Sequence, residues 1–129
     1  MYEILFITKI FENYKNNKKI KSFHICEAPG TFILASKYYL KKFYPNIKYK
    51  WKATSLYFKD NKNIIGDTYG LINKYNKKWS YGKDGTGDIT KEENIKYYKN
   101  ICKDRDFIIG DCGIPMTEDK NFSTKLYFS

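Results

Sequence analysis

Ser22-Phe23-His24-Ile25-Cys26-Glu27-Ala28-Pro29-Gly30-Thr31 is the stretch that decides the fold. Ser22–Cys26 reads as a short buried strand, and Glu27-Ala28-Pro29-Gly30 stops it with the two strongest chain breakers side by side. From Thr31 to Phe43 the pattern turns helical. Pro45-Asn46 breaks that helix, and Tyr49–Ser55 alternates as a second strand. Upstream, Ile4, Ile7, Phe11 and Tyr14 recur at helical spacing and predict an amphipathic helix over residues 2–15. Downstream, Gly66, Gly70, Gly82, Gly85 and Gly87 punctuate the chain; a short helix near Thr68–Tyr75 and a strand near Trp79–Tyr81 fit between them. Thr90-Lys91-Glu92-Glu93 has the form of a capping box, opening a helix to about Lys103. Asp106–Gly110 is the last strand. Strands alternating with helices predict an α/β fold: about four parallel strands, flanking helices and right-handed crossovers.

The 129 residues suit one domain, spanning 1–129, large enough for a core that needs no disulfide staples. With 42% hydrophobic and 19% aromatic residues the chain is neither disordered nor fibrous. No apolar run approaches a membrane span. Glu3 stands where a secretory signal needs positive charge, so no signal peptide and no secretion are expected. Cys26, Cys102 and Cys112 form an odd set without CxxC, which suits free thiols in a reducing compartment. The net charge is +10, from 23 Lys and the single Arg105 against 14 acids. It is uneven: residues 1–52 carry 11 Lys and 3 acids, residues 53–129 carry 13 Lys or Arg and 11 acids. Lys, Asn, Ile and Tyr share A/T-rich codons, so part of the excess reflects base composition. A polyanion such as RNA is nevertheless a natural partner for such a chain.

In parallel sheets, ligands bind outside the carboxyl ends of the strands. Here those ends carry Glu27–Thr31, Ser55, Gly87-Asp88 and Asp111. Each alone is what a strand-to-helix turn needs anyway; four converging ends say more. The turn lacks the GxGxxG of a dinucleotide site, which removes a nicotinamide-dependent oxidoreductase. Pro29 fixes the turn, Gly30 leaves room for a compact ligand, and the helix amino terminus offers donors to a carboxylate. An amino-acid-like ligand suits it better than a dinucleotide.

Four blocks together, His24–Phe32, Trp51–Leu56, Tyr81–Ile89 and Gly110–Gly113, resemble the FtsJ-like RNA ribose 2′-O-methyltransferases. The likeness spans essentially the whole chain. It is strongest to the cap-specific mRNA branch, in particular the cap-2 type, and to relatives in large DNA viruses. The resemblance implies a partial Rossmann-like, S-adenosylmethionine-dependent methyltransferase fold, acting on RNA, in the form of capped mRNA. It implies that Cys26, Glu27, Ala28, Pro29, Gly30, Thr31 and Phe32 wrap the methionine end of S-adenosylmethionine. Ser55 falls where many relatives bind the cofactor ribose through an acid. Gly87, Asp88 and Ile89 match the segment beside adenine, with Asp88 accepting from the exocyclic amine. Asp111 matches the catalytic aspartate.

That family resembles a Lys–Asp–Lys–Glu tetrad enzyme, in which a lysine takes the proton from the ribose 2′-hydroxyl as it attacks the methyl group. Of the tetrad only the aspartate is matched. The first lysine would precede Met1, the second lysine and the glutamate would follow Ser129, and Lys9, Lys15 and Lys120 stand at the wrong places. The expectation is therefore a cofactor-binding half, truncated at both ends, with an open edge on strand 106–110 through which the chain self-associates. Its location would be the cytoplasm, a viral factory or the nucleus.

Other readings stay in view. The chain also reads as a non-catalytic RNA- or partner-binding remnant of such an enzyme. Cys112 beside Asp111 has the form of a nucleophilic thiol against an inert one. His24, Cys26 and Cys112 have donors for a metal, against ordinary core packing. Asn13–Lys21 and Lys37–Lys42 are phosphate grips or solvated faces. Trp51 and Trp79 are core residues or stacking platforms.

Overall fold

The computed structural model describes residues 1–57 and 66–113. Lys120 and the rest of the tail from residue 114 lie outside the described residues. The elements, in chain order, are α1 (Tyr2–Thr8), β1 (Lys19–Ile25), α2 (Thr31–Phe43), β2 (Lys48–Ala53), α3 (Leu71–Lys74), α4 (Glu92–Cys102) and β3 (Phe107–Gly110). They form an α/β unit around a parallel three-stranded sheet of order β2-β1-β3. No described helix is long and apolar enough to cross a membrane.

Register sorts the side chains. Lys19, Lys21 and Phe23 of β1 lie beside Lys48, Lys50 and Lys52 of β2 on one face; Ile20, Ser22 and His24 lie beside Tyr49, Trp51 and Ala53 on the other. The second face is the main core. There Leu5, Phe11, Ile20, Tyr39 and Leu40 form one cluster, and Ile33, Trp51, Ala53, Leu71, Ile72 and Trp79 form another. Both tryptophans are therefore core residues, 3% and 6% exposed. Across the sheet, Phe23 is covered by Tyr98 of α4, ring centroids 5.6 Å apart.

Several expectations need correction. The fourth strand reduces to an isolated parallel bridge between Ala53 and Trp79. A 3-10 turn at Asn76–Lys78 precedes it and Gly82 turns into the left-handed region at φ 78° soon after, so no ladder extends. The first helix stops at Thr8, because Lys9 adopts φ 50°; a 3-10 turn at Glu12–Tyr14 takes up the rest. Its buried residue is Leu5, whereas Ile4 and Ile7 are 54% and 76% exposed, so the periodicity marked the wrong side. The capping box does not form: Thr90 donates its hydroxyl to Asp88, and α4 begins after Lys91 without a side-chain cap.

The free-thiol reading also gives way. Cys26 and Cys112 are joined as a disulfide, their α-carbons 5.2 Å apart, and Cys102 alone is free. β1 and β3 are parallel neighbours, so residues one and two positions past their ends come within bridging distance. The pair is withdrawn from metal binding and, while oxidised, Cys112 is no nucleophile. Thiol titration of the unfolded chain is expected to count one reactive cysteine before reduction and three after. Three before reduction would remove the link. Because it closes a loop of 86 residues, reduction should cost up to about 4 kcal/mol of stability.

Candidate functional site at the carboxyl ends of the strands

The turn after β1 is built on one carboxylate. Glu27 is 5% exposed and points inward. Its Oε1 accepts from the backbone N–H groups of Phe32 (2.8 Å) and Ile33 (3.0 Å), in the first turn of α2. Gly30, the N-cap, has no side chain to do this, so Glu27 caps the helix from three residues upstream. Its Oε2 lies 3.0 Å from His24 Nδ1. His24 Nε2 lies 2.8 Å from the Tyr49 hydroxyl and 2.9 Å from Ser22 Oγ, which is itself 2.8 Å from Tyr49. With Nδ1–H donating to Glu27, Nε2 accepts from one of these hydroxyls. Burial pushes the Tyr49 hydroxyl far up, so it remains a donor. His24 is thus a satisfied core histidine.

Two features read from the sequence as room for a ligand are used by the protein itself. The donors of Phe32 and Ile33 are taken by Glu27. Gly30, at φ 110°, packs against Leu71, whose side chain a Cβ would strike. The remaining frame is tight: Gly30 N–H donates to Glu27 O, Ala28 N–H donates to Ser55 Oγ at 2.7 Å, and the Ala28–Pro29 peptide is cis. Ser55 is buried and its hydroxyl holds this turn. Thr31 is exposed at the start of α2, with Phe32 half-buried beside it.

The second wall is the loop 82–90. Gly87 sits against the chain after β2, where a Cβ would run into the Ser55 carbonyl. Tyr57 N–H donates to Thr86 O, and Gly87 N–H to Tyr81 O. Asp88 turns the chain into Ile89 by accepting from the Thr90 hydroxyl (2.7 Å) and N–H (2.9 Å) at Oδ1. Those bonds, the hydroxyl's foremost, hold its carboxyl below the usual range. Its Oδ2 has no hydrogen-bond partner among the described residues. Asp84 is held down similarly, first by the Lys91 ammonium at 2.6 Å. Nearby, the Tyr81 hydroxyl is buried without a partner among the described residues, pushed up by burial and by Tyr57. The third wall is Asp111, exposed just past β3 and adjacent in sequence to the cysteine linked to Cys26.

Sequence reading missed the residue that organises this loop. Asn94 of α4 is fully buried. Its Oδ1 accepts from Lys83 N–H (2.8 Å) and Asp84 N–H (3.3 Å); its Nδ2 donates to Asp84 Oδ1 and Asp88 O, both at 2.9 Å. The only hint was a polar residue on the inner face of an amphipathic helix. Gly82 is required by the same contact, since a Cβ there would meet the Asn94 amide.

The site therefore has an open carboxylate oxygen on Asp88, the exposed Asp111 and a rigid turn between them. This fits a small ligand with an amine to be accepted; it leaves fewer helix donors for a carboxylate than expected. These residues lie at the carboxyl ends of a parallel sheet, the place where α/β folds commonly bind ligands. Comparison with known proteins makes the assignment specific. The chain is 36% identical over 118 residues to an uncharacterized protein of Acanthamoeba polyphaga mimivirus, covering 88% of this chain and 14% of that protein. It is 35% identical over 109 residues to cap-specific mRNA (nucleoside-2'-O-)-methyltransferase 2 of Mus musculus, covering 81% of this chain. The Drosophila melanogaster protein of that name is 32% identical over 90 residues, 65% of this chain. The chain belongs with the cap-specific mRNA (nucleoside-2'-O-)-methyltransferase 2 sequences, as a fragment-like match spanning 13–14% of the length of these relatives. No family model matches the chain. No solved structure matches it.

Two substitutions test the construction of the site. Glu27→Ala removes the α2 cap and leaves buried donors unpaired, and is expected to cost about 3 kcal/mol in urea denaturation. Glu27→Gln keeps a carbonyl acceptor and should cost about 1 kcal/mol; a loss from Glu27→Ala no larger than that would show that the cap and the His24 contact carry little. Asn94→Ala should cost about 2–3 kcal/mol. It should also speed amide exchange at Lys83 and Asp84 while sparing α2; uniform acceleration would instead mean global loosening.

Proposed function

We propose that the chain is the cofactor-binding part of an S-adenosylmethionine-dependent RNA ribose 2′-O-methyltransferase acting on the mRNA cap, in a single partial Rossmann-like domain over 1–129. The observation that carries this reading is the match to methyltransferases of that printed activity over 81% of the chain. The residues at the strand ends support it. In this reading the turn Cys26–Phe32 supports the methionine end of the cofactor, chiefly through its backbone, since the Glu27 side chain is committed to α2. Ser55 lies beneath the ribose, and Gly87, Asp88 and Ile89 border adenine, with Asp88 Oδ2 accepting from the exocyclic amine. When bound, S-adenosylmethionine supplies an electrophilic methyl group. Asp111, exposed just past β3, is the catalytic aspartate of the set, placed to orient a neighbouring base.

Isothermal titration with S-adenosylhomocysteine tests it. Saturable binding is expected, weakened about tenfold or more by Asp88→Asn, a loss of about 1.4 kcal/mol. That substitution keeps a carbonyl oxygen for Thr90 and replaces the open acceptor by a donor. Asp111→Asn should leave binding within about twofold, because the role assigned to it concerns the nucleophile. A folded chain that binds nothing would sink the cofactor reading and favour a non-catalytic remnant.

A further inference from the structure

A well-formed groove among the described residues lies away from the strand ends. It lies along β2, has a volume of about 480 Å³, and is lined by Lys21, Lys48, Lys50, Lys52, Lys78 and Arg105. Its single carboxylate, Asp104, is already paired with Lys21 (2.8 Å) and Arg105 (3.2 Å). No ion pair holds Lys48, Lys50, Lys52 or Lys78 among the described residues. The alternation of β2 places Lys48, Lys50 and Lys52 in a row on the sheet face opposite the Trp51 core, roughly 6.6 Å apart.

The charge continues around the edge of β2. The Lys78 ammonium stands 4.7 Å from the centre of the Trp51 ring and 5.4 Å from that of Tyr75. Lys37 and Lys74 lie over Tyr75 too, at 5.1 and 5.4 Å. Three ammonium groups on one ring repel one another; burial and the nearby Lys37 and Lys50 charges depress Lys78. The rings hold these cations in place without neutralising them. At its other end the groove runs into a second one, of about 380 Å³, sharing Lys52, Asp104 and Arg105 and adding Tyr97, which is 42% exposed.

We infer that this face binds the phosphate backbone of a single-stranded polynucleotide, along a path separate from the cofactor turn, with Tyr97 stacking on a base. A row of unneutralised point charges beside an exposed aromatic ring is the recognition chemistry of single strands, whereas an acidic polypeptide has no use for the ring. The choice of RNA over DNA rests on the proposed methyltransferase reading; the charge and geometry require only a polynucleotide. The experiment below uses no cofactor, so failure here and failure of cofactor binding are separate results.

Fluorescence anisotropy with a labelled, uncapped single-stranded RNA of about twelve nucleotides reads the interaction. Lys50→Gln with Lys52→Gln should weaken binding about tenfold and lower the salt slope by about 1.4, at roughly 0.7 per phosphate contact. Lys41→Gln with Lys42→Gln, the same charge change on α2, should leave the slope unchanged. Tyr97→Ala should weaken binding severalfold at constant slope, and a melt like that of the parent confirms each fold. Equal losses from both lysine pairs, or none from either, would overturn the inference. Competition by polyglutamate as effective as by unlabelled RNA would replace it with an acidic-protein surface. DNA binding as tightly as RNA would keep the groove and remove the choice of RNA.

Discussion

The carboxylate of Glu27 is the constraint on which the rest of the site depends. One oxygen closes the amino terminus of α2 and the other meets His24, so one side chain joins the turn, the helix and the middle strand. Burying a carboxylate is costly unless its lone pairs are used. Here two N–H groups and an imidazole use them, and the imidazole passes the demand on to Tyr49 on β2. The chain reverses direction after β1 within four residues, with the Glu27 carboxylate and the N–H groups of Glu27, Ala28 and Gly30 each held by a partner.

The same economy explains the glycines. Gly30, Gly82 and Gly87 lie where Leu71, Asn94 and the Ser55 carbonyl come within contact of the backbone, and each has positive φ. Their lack of a side chain lets three loops close on one another. Cys26, at φ 57°, turns the chain off β1 toward Cys112, and the disulfide ties the turn to the segment that carries Asp111.

Much of the fold was legible because it depends on local rules. Pro29-Gly30 follows the end of β1, Thr31 to Phe43 coincides with α2, and the alternation read over Tyr49–Ser55 overlaps β2, which runs over Lys48–Ala53. What misled was non-local. Apolar spacing over residues 2–15 predicted one long helix, but Lys9 breaks it and Leu5 turns inward. Thr90 and Glu93 have the spacing of a capping box, yet Asp88 is a nearer acceptor for Thr90. The disulfide depends on two strands being neighbours, which cysteine spacing cannot convey. Asp88 and Asp111 were visible as candidates at strand ends; in the structure Asp111 is exposed and Asp88 half-buried. Asn94 gave no more than the hint of a polar residue on an inner helix face, because its four contacts all lie on a loop six to eleven residues upstream.

The lysines of β2 have a second explanation that must be weighed against binding. Charged side chains on an outer strand discourage edge-to-edge association. β2 is such a strand: beyond the bridge to Trp79, its outer edge has no partner among the described residues. Edge protection, however, asks only for charge on β2, and Lys48, Lys50 and Lys52 already supply it. It does not ask for Lys37, Lys74 and Lys78 to converge on Tyr75 from α2, α3 and the turn after it. Nor does β3 follow the pattern, for its Ile108 is 51% exposed on the other edge. Protection would favour equal treatment of both edges; an anion-binding surface needs only one. The asymmetry therefore argues that the charge on β2 is directed at a ligand.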